Sequence, residues 1–263
     1  MKSEKIDVNN SPKSDNLKDI IAEFENQPPK NSILLDKSLL PSKGKLYPEQ
    51  IYVKKLSSLN IKKLATITEQ NSTFIINSTI KSCLWGIDTD KILVADKLWL
   101  IFYLRAYTFN DLPYKLRGKC EGCGTIGSFD FVLKDLNITY YENELPEYFE
   151  INGDKISVRF PTISTEAAVE KLKNDPQLVI DIDPGFLDFS SYIYKINGKE
   201  VSLMTAYEYV CELDGMSFSK FTNLVGDYMF ISNPVAVFEC PHCGGTVELP
   251  VPLSPSFFLP KIK

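Results

Sequence analysis

Two short stretches decide the fold: Cys120-Glu-Gly-Cys123-Gly124 and Cys240-Pro-His-Cys243-Gly244. Both have the pattern Cys-x-x-Cys-Gly. Two thiolates at positions i and i+3 can bind one ion when the chain turns tightly around it, and the glycine that follows permits the positive φ of such a turn. Two turns supply four sulfurs, which suits tetrahedral zinc. We therefore predict zinc bound by Cys120, Cys123, Cys240 and Cys243; two unrelated loops with reduced thiols and an iron cluster remain as alternatives.

The long spacing between the two turns sets the architecture. Residues 124–239, 116 in all, separate the second cysteine of one turn from the first cysteine of the other. A strand-like run follows each turn, at residues 127–133 and 246–251, as is typical of a zinc ribbon. The ion should therefore hold together the two ends of a large insertion, residues 135–235. Because four thiolates leave no open coordination position, we expect the metal to be structural rather than catalytic.

The remaining pattern predicts an α+β protein in which a zinc-ribbon-like β element is closed by the two Cys-x-x-Cys-Gly turns. Asn152-Gly153 and Asn197-Gly198 each lie between alternating segments and predict two-residue hairpin turns. Helical periodicity predicts a helical N-terminal half and further helices within a mixed α/β insertion. The predicted helices cover residues 59–68, 72–84, 96–107, 164–174, 204–213 and 217–230. Gly215 is placed to end the helix over residues 204–213.

The two ends of the chain look like arms. Residues 1–14 are polar, and Leu17, Ile20, Ile21 and Phe24 then recur at the spacing of one helix face. We expect residues 1–30 to be a flexible arm with a short amphipathic helix that docks on its own domain or grips a neighbouring subunit. Residues 31–263 should form a single zinc-clasped domain. The proline-spaced tail, residues 250–260, should be extended and not helical, with Phe257 and Phe258 packing on their own domain or inserting into a partner.

The composition excludes several functions. Asp and Glu number 34 against 29 Lys and Arg, which disfavours nucleic-acid binding despite a small basic cluster at Lys115, Arg117 and Lys119. The single histidine, His242, lies inside a metal turn, and neither a glycine-rich phosphate loop nor a His-x-Glu motif occurs. We therefore expect no enzymatic activity.

We also expect no targeting or membrane-spanning segment. The first ten residues have no apolar secretion core, and the longest apolar run, residues 98–104, is too short to cross a membrane. These features favour a reducing cytoplasm, where paired cysteines act as metal ligands. The other two, Cys83 and Cys211, should fill the core.

One family resemblance connects these features. Residues 40–48, Leu-Pro-Ser-Lys-Gly-Lys-Leu-Tyr-Pro, precede a helical stretch, the two cysteine turns and a terminal Phe-Phe. This arrangement resembles the baseplate hub subunits of T-even-type contractile-tailed bacteriophages. The resemblance implies a structural component of the phage tail baseplate, found in the virion and in the host cytoplasm during assembly. It implies contacts with other hub and tail proteins around the tail axis, with self-association in a ring as one arrangement, and no catalytic residues. The alternative is a zinc-ribbon regulator that binds nucleic acid.

Overall fold

The computed structural model describes residues 27–68, 70–175 and 182–260. The amphipathic helix predicted around Leu17 and Phe24 lies outside the described residues. Within them, the helices are α1 (Ser58–Leu64), α2 (Ser72–Cys83), α3 (Val94–Phe109), α4 (Ile163–Lys173), α5 (Pro184–Ser190), α6 (Leu203–Glu212), α7 (Gly215–Gly226) and α8 (Pro255–Phe258). The strands are β1 (Ser32–Leu34), β2 (Tyr52–Lys54), β3 (Leu84–Trp85), β4 (Tyr114–Lys119), β5 (Ile126–Phe131), β6 (Leu136–Thr139), β7 (Phe149–Ile151), β8 (Asp154–Val158), β9 (Ile193–Ile196), β10 (Lys199–Glu200), β11 (Ile231–Glu239) and β12 (Thr246–Pro250).

The strands pair in an antiparallel manner and form four small sheets. The orders are β1-β2-β3, β4-β5, β12-β11-β6 and β10-β9-β8-β7. The mixed α/β character predicted from the sequence is confirmed, although the N-terminal half contains the β1-β2-β3 sheet beside its helices. Since β6 and β11 pair with each other, the chain leaves and re-enters the cysteine-bearing sheet at neighbouring points.

Both Asn-Gly turns are confirmed as two-residue hairpin loops. The register brings Ile151 opposite Asp154 and Ile196 opposite Lys199. Asn152 and Asn197 have φ of 51° and 52°, and the glycines after them have φ of 86° and 78°. Positive φ at both central residues is the requirement of the type I′ turn, which asparagine and glycine meet at the lowest strain.

The predicted role of Gly215 is wrong. This glycine begins α7, and the side chain of Asp214 before it accepts hydrogen bonds from the backbone N–H groups of Met216 and Ser217. An aspartate at the N-cap satisfies donors that a new helix leaves unpaired. The helix start signal at Asp214 therefore outweighs the stop signal of the glycine, and α6 ends at Glu212, three positions before Gly215.

The segment from residue 40 to residue 48 is a tight turn bound to the first turn of α3. Asp96 is fully buried; its Oδ1 accepts the backbone N–H of Ser42 at 2.9 Å, and its Oδ2 accepts the hydroxyl of Tyr47 at 2.7 Å. The Tyr47 oxygen in turn accepts the backbone N–H of Leu93 at 2.9 Å. Within the turn, Gly44 has a φ of +66°. The motif thus supplies the partners that a buried carboxylate needs.

Two main cores lie under these elements. The larger one joins α2, α3, the cysteine-bearing hairpins and the C-terminal segment, and the second lies between Phe149 and Val225 within the insertion. An ion pair between the buried Lys97 of α3 and the half-buried Glu166 of α4 connects the helix α3 to the insertion. Glu166 also accepts a hydrogen bond from Asn77 of α2 at 3.3 Å.

The expectation that the C-terminal tail cannot form a helix is wrong. Residues 255–258 form the short helix α8, which has Pro255 at its first position, where the missing N–H of proline costs nothing. Phe257 and Phe258 are fully buried in the larger core of the same chain. In this structure the tail therefore packs on its own domain.

Candidate metal centre

The two cysteine motifs form the loops of two hairpins, β4–β5 and β11–β12. In the first hairpin, Lys119 pairs with Ile126 at the last step before the loop; in the second, Glu239 pairs with Thr246. Each loop therefore contains six residues, and equivalent positions in the two hairpins differ by a constant 120 in number. The same local sequence pattern produces the same turn twice.

The backbone hydrogen bonds of the two turns also correspond. The N–H of Gly124 donates to the carbonyl of Cys120 at 2.8 Å, and the N–H of Gly244 donates to the carbonyl of Cys240 at 2.9 Å. The two glycines have φ of +72° and +71°. A Cβ added at either position would meet no atom closer than 3.6 Å. Glycine is therefore needed for its backbone conformation and not for space.

The four sulfur atoms converge on one point. All of them lie within 4.8 Å of one another. Cys120 Sγ is 3.7 Å from Cys243 Sγ, and Cys123 Sγ is 3.7 Å from Cys240 Sγ. Four sulfurs placed about 2.3 Å from a tetrahedral ion are about 3.8 Å apart. The cluster therefore has the dimensions of a four-sulfur metal site, and the four cysteines could bind a metal ion.

Burial and charge make this cluster suited to a cation. Cys120 and Cys240 are buried, whereas Cys123 and Cys243 are exposed. The hydroxyl of Thr125, 3.3 Å from Cys123 Sγ, lowers the pKa of that thiol to about 6. At Cys243 the backbone N–H of Gly245 lowers the pKa, but the neighbouring sulfurs outweigh it and raise the pKa to about 12. Since the sulfurs compete for negative charge, a shared cation would stabilise all of them as thiolates.

Packing beside the cluster keeps the two hairpins together. The rings of Phe129 on β5 and Phe238 on β11 stack with centroids 5.0 Å apart. Gly118 on β4 lies so close to Leu249 on β12 that an added Cβ would be 2.0 Å from the leucine Cδ2. The hairpins therefore meet through side chains as well as through the sulfurs.

Comparison with known proteins bears on this arrangement. A family model described as "T4 bacteriophage base plate protein" matches residues 35–244, about four fifths of the chain. The chain belongs to this family. The matched region includes the turn at residues 40–48 and both cysteine motifs. None of the curated proteins or solved structures compared with the chain gives a match.

Membership in the base plate family implies a location in the phage tail and association with other tail proteins. It also suggests a non-enzymatic protein. No helix in the described part of this base plate protein has the length and apolar character needed to cross a membrane.

The other cysteines and the histidine lie outside the cluster. Cys83 is buried, as predicted, and burial raises the pKa of its thiol. The prediction for Cys211 is wrong, because α6 leaves this residue exposed. His242 is exposed between Cys240 and Cys243.

Sequence reasoning missed the contribution of Thr125 to this base plate protein. Its carbonyl accepts the backbone N–H of Cys120 at 2.9 Å, and its hydroxyl contacts Cys123. Gly245 occupies the equivalent position in the second turn, where its carbonyl accepts the N–H of Cys240 at 2.8 Å. Both residues directly follow a Cys-x-x-Cys-Gly motif, and this shared position is the sequence signal from which their role could have been predicted.

Proposed function

We propose that this protein is a structural component of the phage baseplate hub and that a four-cysteine zinc site holds its fold together. The observation that carries the proposal is the family match over residues 35–244, which includes both cysteine turns. The four sulfurs of these two turns lie in one compact cluster, and this proximity supports an architectural role for a bound metal.

Zinc is the metal that we propose for Cys120, Cys123, Cys240 and Cys243. An all-sulfur tetrahedral set suits zinc, and full occupation by protein ligands leaves no position for substrate or water. Apparent binding energies of about 10–16 kcal/mol for such sites match or exceed the typical stability of a domain, about 5–15 kcal/mol. Bound zinc would therefore fasten the β4–β5 hairpin to the β11–β12 hairpin in a ribbon-like arrangement. Residues 31–263 would then be stabilised as one domain, and residues 135–235 would be an insertion within it.

The proposed partners are other hub and tail proteins, and self-association in a ring around the tail axis is part of the proposal. The protein would act in the virion after assembly in the host cytoplasm. We propose no enzymatic role, because a closed sulfur site offers neither an exchangeable ligand nor a free base.

The test is a phage in which the gene for this protein carries a stop codon. Without suppression, tails should lack complete baseplates, and in suppressed particles cross-linking should join the protein to central baseplate proteins. Complementation with Cys123→Ser should fail to restore baseplates, whereas the matched variant Cys211→Ser should restore them. Complete and infectious baseplates formed without the protein would refute the proposal.

A nucleic-acid-binding regulator is the weaker candidate. Lys115, Arg117 and Lys119 share one exposed face of β4, but the ammonium group of Lys115 lies 3.4 Å from the carboxylate of Asp130. These three basic residues are partly neutralised and the chain as a whole is acidic, so little positive charge remains to bind phosphates.

A further inference from the structure

A groove of about 800 Å³ lies between α2 and α4. Each helix lines it with residues three or four positions apart, so a full side of each helix faces the groove. The lining includes Phe74, Ser78 and Lys81 on α2, and Ile163, Ala167 and Lys171 on α4.

The two helices are also connected through α3, and the groove lining carries an exposed aromatic ring. The hydrogen bond from Asn77 to Glu166 and the ion pair from Glu166 to Lys97 connect α2 and α4 to α3. On its wall, the side chain of Phe74 is 76% exposed, which is unusual for phenylalanine. Two helix faces that line one groove, with an exposed aromatic ring between them and solvent, can accept a third amphipathic helix.

The dimensions of the groove fit one segment of this chain. From Phe74 to Lys81 the helix α2 rises about 10 Å. The stripe formed by Leu17, Ile20, Ile21 and Phe24 has the same extent, since it covers eight residues at the same rise if helical. Four large apolar side chains on one face would cover Phe74 and the apolar part of the wall.

The connection between segment and groove is long enough. Ile33 of β1 pairs with Val53, and Val53 pairs with Leu84, which directly follows α2. Two strand spacings put Ile33 about 10 Å from that end of α2. The chain turns back at Pro29, whose carbonyl accepts the N–H of Ser32 at 3.0 Å. Four residues lie between Phe24 and Pro29, so the two are five chain steps apart and can be separated by up to about 17 Å, a span that leaves the Lys81 end of the groove within reach of Phe24.

We propose that residues 17–24 bind in the groove between α2 and α4 of the same molecule. The apolar stripe would face Phe74 and Ala167, and the acidic residues of the segment would face solvent. The groove contains charges of both signs, including Lys81 and Glu170, so apolar contact would dominate and binding would change little with salt. In this arrangement the N-terminal segment would contact both α4, which belongs to the insertion, and α2, which does not.

The experiment places the photoreactive amino acid p-benzoylphenylalanine at position 74 of the full chain. Irradiation of a mixture of nitrogen-15-labelled and unlabelled protein, followed by peptide mapping, identifies the cross-linked residues and whether they come from the same molecule. We expect an adduct with residues 17–24 in peptides of a single label. Adducts to another segment, adducts between differently labelled molecules, or no adduct would each overturn the proposal.

Paired variants in that background test the apolar stripe. Ile21→Asp puts a charge on the stripe and should lower the adduct yield by about tenfold or more, because a charged side chain would have to leave water to face the apolar part of the groove. Glu23→Gln changes a residue outside the stripe and should leave the yield unchanged. Equal yields from both variants, with unchanged melting temperatures, would show that the stripe does not occupy the groove.

Discussion

Replacement of Phe257 by alanine tests whether the C-terminal segment is part of the fold or a free strip for a partner. The Phe257 ring is fully buried, with centroid distances of 5.3 Å to Phe102 and 5.2 Å to Tyr114. The guanidinium carbon of Arg105 lies 4.5 Å from the ring centre, and Arg105 Nε donates to the carbonyl of Phe257 at 2.8 Å.

These contacts set the size of the effect. Truncation of a buried phenylalanine to alanine costs about 3–5 kcal/mol through lost burial and a residual cavity. Loss of the contact with the cation would add up to about 2 kcal/mol. Burial lowers the pKa of Arg105, so water that enters the cavity would restore hydration of this side chain and offset part of the loss. We expect a net decrease of about 3–4 kcal/mol in the free energy of unfolding.

The assay is urea-induced unfolding followed by circular dichroism, with a thermal melt alongside. A decrease of that size corresponds to about 6–16 °C in melting temperature. The matched control is Leu259→Ala, two residues further on, where a side chain that is 47% exposed should change stability by less than about 1 kcal/mol. A Phe257→Ala variant as stable as this control would refute the assignment of the tail to the core.

Three further predictions follow from the metal centre and the turn over residues 40–48. Cys123→Ser should lower both the zinc content and the melting temperature, whereas Cys211→Ser should leave both unchanged, as measured by metal analysis and thermal melts. Equal results for the two variants would contradict the proposal that a bound ion holds the two hairpins together. Burial raises the pKa of Asp96, so its contribution to stability is full below the ordinary pKa of 3.8 and is lost as pH rises through the folded-state pKa. Stability measured against pH should therefore fall more steeply over this range in the wild type than in Asp96→Asn, and parallel curves would count against the raised pKa. Gly44→Ala should destabilise by about 1–3 kcal/mol in urea unfolding, because φ is +66° and the new Cβ would lie 2.4 Å from the Cβ of Lys37; an unchanged midpoint would disprove this.

Short-range signals account for what the sequence could predict. The Asn-Gly pairs specified their hairpins because few residues tolerate positive φ at two successive positions. The two Cys-x-x-Cys-Gly motifs specified their turns because the glycine of each takes the one positive φ that the turn requires. The chemistry of four thiols indicated that the turns would meet despite the 116 residues between them. Each of these predictions depended on local backbone geometry or on ligand count.

Long-range contacts account for what the sequence could not predict. Asp96 lies in an apolar helix, and nothing near it in sequence announces that Ser42 and Tyr47 are its partners. Phe257 gave no local sign that it would pack on Arg105, 152 positions earlier. Tertiary packing decides such contacts, and it also overrode the extended conformation expected for the tail, where α8 forms.

X-ray absorption spectroscopy at the zinc edge of the purified full chain tests the central claim most directly. We predict one zinc per chain with four sulfur neighbours at about 2.3 Å. A first shell that contains nitrogen or oxygen, or a chain that folds stably without any bound metal, would contradict the account in which one ion fastens the two hairpins.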